Sequence, residues 1–160
     1  MVWNPLPRVA RRLTQQRWVM RSAPVVLRVD RLIRRASGGR MGVLDLAGLP
    51  SIQITVAGRK TGISRTTSLL CVLHDADFVV LGSNWGSAEH PAWSANLRAA
   101  QTAQVRYKGE QFPVAVRELT GVERERVWER AVALWPGYAM EHELSGGRVF
   151  RIFELRRVSA

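Results

Sequence analysis

The chain has 160 residues, 46% of them apolar, which suits one domain with a modest core. Its net charge of +11 is unevenly placed: residues 1–40 hold ten arginines against one acid, Asp30, while the other 120 residues carry 14 basic and 12 acidic side chains. A nearly neutral body argues against nucleic acid as a partner, a lone cysteine (Cys71) forms no intramolecular disulfide or Cys-based metal site, and His74, His90 and His142 lack metal-ligand spacing.

In chain order, residues 7–22 and 24–36 read as two helical pieces broken at Pro24. Val25, Val26, Val29, Leu32 and Ile33 recur at helical spacing, with Arg28, Arg31, Arg34 and Arg35 between them. With Trp3 and Trp18 nearby, residues 1–36 form a basic amphipathic arm suited to an anionic membrane surface. The alternative is that its apolar stripe packs on the protein's own body. Ser37–Arg40 reads as a linker, which divides the chain into an arm (1–40) and a body (41–160). No apolar run approaches a membrane span, and arginines interrupt the N-terminus before any signal-peptide core. The expected location is the cytoplasm, with peripheral contact on the inner face of the cell membrane.

From Ser51 the period becomes two. Ile52, Ile54 and Val56 alternate with Gln53 and Thr55 as a half-buried strand. After a loop, Thr67–His74 reads as a buried strand, Asp75–Asp77 as a turn, and Phe78–Gly82 as the returning strand of a hairpin. A loop over Ser83–Ser87 leads to a short helix opened by Pro91 and carrying Trp93, Ala95, Asn96 and Leu97. Val105 and Tyr107, a Gly109-Glu110 turn, then Phe112, Val114 and Val116 make a second hairpin. Thr120 and Glu123 read as a capping box opening a helix whose apolar face is Val127, Trp128, Ala131, Leu134 and Trp135. Pro136-Gly137 breaks it, and Val149–Leu155 closes the chain as a strand. The expected fold is mainly β with inserted helices (α+β), and antiparallel hairpins argue for a small barrel or sandwich rather than a doubly wound sheet.

The loop from Gly58 to Thr67 holds three cations, three threonines and no acid. It is not a Walker loop, because Lys60 precedes Gly62 and a strand follows. Arg59 and Arg65 can grip phosphate or carboxylate through paired hydrogen bonds, Lys60 acts as a point charge, and the threonines add short-range donors. The bare pattern fits either an anion cradle or a solvated turn. Its position favours the cradle: the tip feeds an apolar strand that could support a flat ring, and Ser83 and Asn84 lie at the neighbouring strand end.

"GRKTG-x-x-R", then "SN-x-G-x-x-x-HPAW-x-x-NLRA", then "LWPGY" resemble, in this order, the deazaflavin-dependent nitroreductase family, over about Ile52 to Phe153. These are actinobacterial split β-barrel proteins that bind coenzyme F420. The bias to arginine (22 Arg, 2 Lys) also suits a GC-rich genome. The resemblance implies that Arg59, Lys60, Thr61 and Arg65 hold the cofactor's phosphate and oligoglutamate tail. It implies that Thr67, Ser68 and Leu69 line the ring, that Ser83 and Asn84 touch it, and that Asn96 bonds near the cofactor or fixes the loop. Leu70, Trp135 and Tyr138 fall on the substrate side. Ser64 and Ser68 stand where the family commonly has proline, and Trp85 where it often has glycine.

The reaction implied is hydride transfer from reduced F420 to a quinone, enone or nitro-aromatic, with Ser83 stabilising developing charge and Tyr138 donating a proton or packing on the acceptor. A lipid-soluble quinone would give the basic arm a purpose. The rivals are an FMN-binding oxidoreductase on the same barrel, and a non-catalytic carrier of an acidic ligand at the membrane surface. No nucleophile–base pair is visible, which disfavours hydrolysis.

Overall fold

A computed structural model describes residues 6–13, 15–74 and 77–158. Trp3 and the expected turn residues Asp75 and Ala76 lie outside the described residues. Helices α1 (Leu6–Leu13), α2 (Arg17–Arg21), α3 (Ala23–Ala36) and the single turn α4 (Val43–Leu46) precede a seven-stranded antiparallel sheet. Its strands are β1 (Ser51–Ala57), β2 (Ser64–Leu70), β3 (Val72–His74), β4 (Asp77–Leu81), β5 (Thr102–Tyr107), β6 (Glu110–Glu118) and β7 (Ile152–Arg157). Helix α5 (Ala92–Ala99) lies between β4 and β5, and α6 (Gly121–Leu134) and α7 (Gly137–Leu144) between β6 and β7.

The spatial order is β2-β1-β5-β6-β7-β4-β3, so the two edges are β2 and β3, which only Cys71 separates in the chain. The sheet must therefore curl until its edges meet. Cys71 marks the corner: its N–H leaves the ladder and donates to Pro50 O at 3.0 Å. The single buried strand expected over Thr67–His74 is in fact two. The apolar run hides the break because residues on either side feed different cores: Leu69 packs into the barrel, Leu70 and Val72 outside it. Nor is β2 buried. As an edge it is exposed at Ser64–Thr66 and half-buried from Thr67 to Leu70.

Inside the barrel Ile52, Ile54, Val56, Phe78, Val80, Val105, Phe112, Val114, Phe153 and Leu155 meet Leu97 of α5. On the outer face of β3, β4 and β7, Val72, Val79, Leu81 and Ile152 pack against Ala131, Trp135 and Tyr138 from α6 and α7. Period two therefore deals β4 into both cores. The second hairpin forms as expected, turning on Lys108-Gly109, both at positive φ. Thr120 precedes α6 but makes no side-chain cap bond; the Glu123 carboxylate instead takes both Arg117 Nη atoms, at 2.7 and 2.6 Å. Leu134 is exposed, so the buried face of α6 is narrower than its pattern suggests. The closing strand starts at Ile152, three residues later than expected.

Helix α3 docks through its polar side. Arg34 Nε and Asp30 Oδ2 pair at 2.9 Å in a buried position. Arg34 Nη2 donates to Ser51 Oγ at 3.0 Å, and Asp30 Oδ1 accepts from Val43 N–H at 2.9 Å. The apolar stripe faces outward: Val25, Val29 and Leu32 are exposed, while Val26 and Ile33 are half-buried.

Candidate functional site: a cationic cleft at the barrel mouth

A cleft of about 680 Å³ opens between the β1–β2 loop, α5 and the start of β7. Arg59, Arg65, Thr67, Asn84, His90, Asn96 and Arg151 line it together with one acid, Glu89, and Val56, Pro91 and Trp93 form its apolar wall. The β1–β2 loop is a tight hairpin: Gly58 N–H donates to Ile63 O at 2.9 Å and Gly62 N–H to Gly58 O at 2.7 Å. A Cβ at Gly58 would lie 2.9 Å from Thr61 Oγ1, which accounts for glycine there. Asn96, projecting from α5, ties this loop down. Its Oδ1 accepts from Arg59 N–H at 3.2 Å and from Arg59 Nη1 at 3.3 Å. Pro91 caps α5, where its missing N–H costs nothing, and Ser94 Oγ donates to Pro91 O at 2.8 Å.

Cations crowd the cleft. Arg151, whose Nη1 donates to Ser94 Oγ at 3.2 Å, is pushed below the usual arginine range by burial and then by Arg98, with a smaller push from Arg59. Glu118 opposes this, but Arg98 holds it in a two-point pair at 2.7 and 2.5 Å that drags its carboxyl below the usual range. His90 is lowered by burial and by Arg151, Arg148 and Arg98. Arg148 Nη1 lies 3.0 Å from His90 Nδ1; a guanidinium only donates, so Nδ1 accepts and the ring's hydrogen sits on Nε2. Such mutual repulsion around one cleft favours a ligand with several negative charges.

The opposite rim is a left-handed turn. Asn84, Trp85 and Gly86 have φ of 52°, 54° and 77°, unusual for the first two. A guanidinium fastens it. Arg148 donates to Gly82 O at 2.9 Å, Ser83 O at 2.8 Å and Ser87 O at 3.1 Å. Glu141 of α7, only 6% exposed, lies against this turn with its backbone beside Gly86, and the turn's polar groups favour its charged form. Burial nonetheless pushes its carboxyl up to about 7. Gly86 is needed here, since a Cβ would sit 2.9 Å from Leu144 Cβ.

Of the residues expected at the site, the structure brings Arg59, Arg65, Thr67, Asn84 and Asn96 to the cleft. Lys60 and Thr61 stand exposed on the loop beside it. Strand alternation turns Ser68 to the face of Thr66, opposite Thr67, and Leu69 packs into the barrel core. Ser83 precedes Asn84, does not line the cleft, and has its carbonyl held by Arg148. Leu70, Trp135 and Tyr138, expected on the substrate side, belong to the outer core instead. Tyr138 is 3% exposed, and burial, then Glu141, raise its phenol well above its usual range. The sequence pointed to neither Arg151 nor the pair Glu141 and Arg148, and assigned no role to His90 and Trp93 within the "HPAW" motif. The strand register, which sets Gly82 N–H on Arg151 O, is the signal that could have found Arg151. Among the described residues no cluster of His, Cys, Asp or Glu could hold a metal ion.

The profile of one family, F420H(2)-dependent quinone reductase, matches residues 26–148. The F420H(2)-dependent quinone reductase Rv1261c of Mycobacterium tuberculosis is 28% identical over 116 residues, which cover 71% of this chain and 78% of that protein. The solved structure of an F420-H2 dependent reductase, FDR-A, superposes with a TM-score of 0.60 at 30% identity, covering 67% of this chain and 94% of that one. A second structure, described as a domain-swapped dimer, gives a TM-score of 0.61 at 30% identity over 67% and 80% of the two chains.

Proposed function

Because the chain belongs to the F420H(2)-dependent quinone reductase family, we propose that it reduces an electrophilic organic acceptor, a quinone first among quinones, nitro-aromatics and enones, by hydride transfer from reduced F420. The observation that carries this reading is the cleft itself, where Arg59, Arg65 and Arg151 converge beside an apolar wall. Those residues fit the cofactor. A phosphate and an oligoglutamate tail supply the several negative charges that the crowded guanidiniums lack, and Trp93 and Pro91 offer a flat apolar surface to a ring.

When bound, the deazaflavin ring supplies the hydride. The protein binds, orients and excludes water. In this reading Arg59, Lys60 and Arg65 hold the tail, with Thr61 close by and Arg151 as a further cation at the cleft floor. Thr67 and Asn84 flank the ring edge, with Ser68 and Leu69 as the strand beneath. Asn96 fixes the Arg59 backbone so that the guanidinium is aimed before the ligand arrives, which lowers the ordering cost of binding. Ser83 offers a hydroxyl toward the charge that develops during hydride transfer. Leu70, Trp135 and Tyr138 back the wall from the outer core.

The exposed face of the N-terminal helices supports peripheral membrane contact through residues 1–36. Trp18, Val25, Leu27, Val29 and Leu32 are exposed among Arg28, Arg31 and Arg35, a surface suited to an anionic bilayer and to a lipid-soluble quinone. Among the described residues no helix is long and apolar enough to cross a membrane.

Titration of the protein's tryptophan fluorescence with F420 and separately with FMN tests the cofactor, followed by oxidation of reduced F420 with a quinone present. The expected result is saturable quenching by F420 alone and oxidation that depends on the quinone. Tight FMN binding without F420 binding would overturn the reading, and binding without oxidation would leave a carrier. Flotation with phosphatidylglycerol vesicles tests the arm: a Trp18→Ser, Val25→Ser, Leu32→Ser variant should stay in the soluble fraction, and unchanged flotation removes the membrane role.

A further inference from the structure

His90 lines the cleft, yet the cofactor reading gives it no task. Its Nδ1 accepts from Arg148 Nη1 at 3.0 Å, so the imidazole is neutral and its hydrogen sits on Nε2. Arg148 is itself held by the carbonyls of Gly82, Ser83 and Ser87, which fix the guanidinium and with it the histidine tautomer. Protonating the ring would set an N–H against a guanidinium N–H. Nε2 has no partner among the described residues. Nor is it sealed away: no buried side-chain nitrogen or oxygen among them lacks a hydrogen bond, so an unpartnered Nε2 must reach solvent, and the space that His90 borders is the cleft.

Arg151 lines the same cleft, and its charge acts on His90. A guanidinium carries several N–H groups, of which one is committed, from Nη1 to Ser94 Oγ at 3.2 Å. Among the described residues no carboxylate pairs with Arg151. Glu118, which pulls on it, is held by Arg98 in a two-point pair, and Glu89, the acid of the lining, is exposed. We propose that His90 is a binding residue: its Nε2–H, beside Arg151, completes a subsite at the cleft floor for an oxyanion, a phosphate or a carboxylate of the ligand. A neutral donor suits this place. A protonated histidine would add one more cation to a cleft crowded by Arg59, Arg65 and Arg151, whereas the neutral ring adds a directional hydrogen bond without adding repulsion. The identity of the ligand as F420 rests on the proposed reductase reading; the subsite does not.

The surroundings keep the ring in this form. Burial disfavours its charge, as do Arg151, Arg148 and Arg98; Glu118 alone favours it, and Glu118 is spent on Arg98. Two roles for His90 then make opposite demands. If the ring merely supports Arg148, the atom that matters is Nδ1, the acceptor. If it binds the ligand, the atom that matters is Nε2, the donor. Amide side chains separate the two. Asparagine places its oxygen near the position of Nδ1 and reaches no further, whereas glutamine carries an N–H out to the position of Nε2. His90→Asn therefore keeps the tie to Arg148 and drops the donor, and His90→Gln keeps the donor.

The test begins without cofactor, by NMR on the full chain with 15N-labelled histidine, the His90 signals being those that vanish in His90→Asn. Near neutral pH the ring should show a bare Nδ1 and a protonated Nε2. Inorganic phosphate and, separately, a γ-linked glutamate dipeptide are then titrated in. At least one should move the Nε2 signal saturably, and the effective one tells which acid group seats there. In Arg151→Ala the same shift should need about tenfold more anion. A ring with its hydrogen on Nδ1, an Nε2 signal that neither anion moves, or a titration indifferent to Arg151→Ala overturns the proposal. With F420, His90→Asn should lose about tenfold in affinity, and its KM for the reduced cofactor should rise while kcat holds; His90→Gln should stay within about threefold of the native chain. The reverse ranking would make His90 a support for Arg148 and overturn the proposal. Should F420 fail to bind while phosphate or the dipeptide still moves Nε2, the reductase reading falls and the subsite stands.

Discussion

The two rims of the cleft are built on opposite plans. The β1–β2 hairpin is exposed at its tip, carries Arg59 and Lys60 in the loop and Arg65 at the start of β2, and is tied to the body by Asn96. The Ser83–Gly86 turn carries no cation, holds two non-glycine residues in left-handed backbone, is fastened by Arg148 and packs at Gly86 against the buried Glu141. The first rim presents charge that solvent screens until a ligand excludes water. The second presents a fixed backbone at a cost in strain. Grip and geometry are thus separated: one rim can change without disturbing the other.

The sharpest way to break that division is to remove the grip. In Arg59→Ala/Lys60→Ala the cleft should keep its shape, since both side chains are exposed and the hairpin bonds are main-chain. Two charge-assisted contacts contribute roughly 1.5–3 kcal/mol each, so F420 affinity should fall more than about 100-fold. The thermal midpoint should hold within a degree or two, and the circular dichroism spectrum should not change. Retained affinity would move the anion site to Arg151 and the cleft floor.

The contrast also governs what could be read from the chain. The β1–β2 loop was legible because a run of cations without an acid between two alternating strands is a local pattern, complete within ten residues. The hairpins β3–β4 and β5–β6 were legible for the same reason: period two and a nearby turn suffice. The second rim was not. Arg148 reaches Gly82 and Ser83 across 65 or more residues, and Glu141 meets Gly86 only because α7 folds back over the outer face of β4. A lone Glu on a short helix looks like any solvated residue until that packing is known. The Cys71 corner was hidden by composition, since a continuous apolar run serves two cores as well as one strand. Helix α3 inverted its reading because an Asp30–Arg34 pair at one-turn spacing looks like surface charge, yet Ser51, Asp45 and Val43 N–H make it the buried side.

The buried carboxyl beside the second rim has a measurable thermodynamic signature. The folded-state Glu141 carboxyl lies near 7, above its ordinary value of 4.5. A raised carboxyl contributes stability that is fully present below the unfolded value and is lost as pH rises through the folded one. The stability of the native chain relative to Glu141→Gln should therefore fall between about pH 4.5 and pH 7 and level off above. The swing should be on the order of 3 kcal/mol in favour of the variant, read from denaturant midpoints at pH 4.5 and pH 8. Comparing the two proteins removes carboxylates such as Glu118, whose lowered value gives the opposite slope. A flat difference would mean that Glu141 is solvated, and the contrast between a screened rim and a buried one would lose its basis.

The smallest expected effect probes the one tie that the exposed rim has. Asn96 Oδ1 accepts from both the backbone and the guanidinium of Arg59. Asn96→Ala removes that acceptor while leaving the hairpin's own bonds. The loss should be about 1 kcal/mol of stability and about three- to fivefold in F420 affinity, the latter because Arg59 must now be ordered on binding. Asn96→Asp keeps the acceptor and adds a negative charge beside Arg59. Its stability should match or exceed that of the native chain, yet its affinity should also fall, because the new carboxylate competes with the ligand for the same guanidinium. Opposite shifts in stability with a shared loss of binding are what a pre-aimed cation requires. If Asn96→Asp bound F420 as well as the native chain does, Arg59 would be a support for the hairpin, and the grip would rest on Lys60, Arg65 and Arg151.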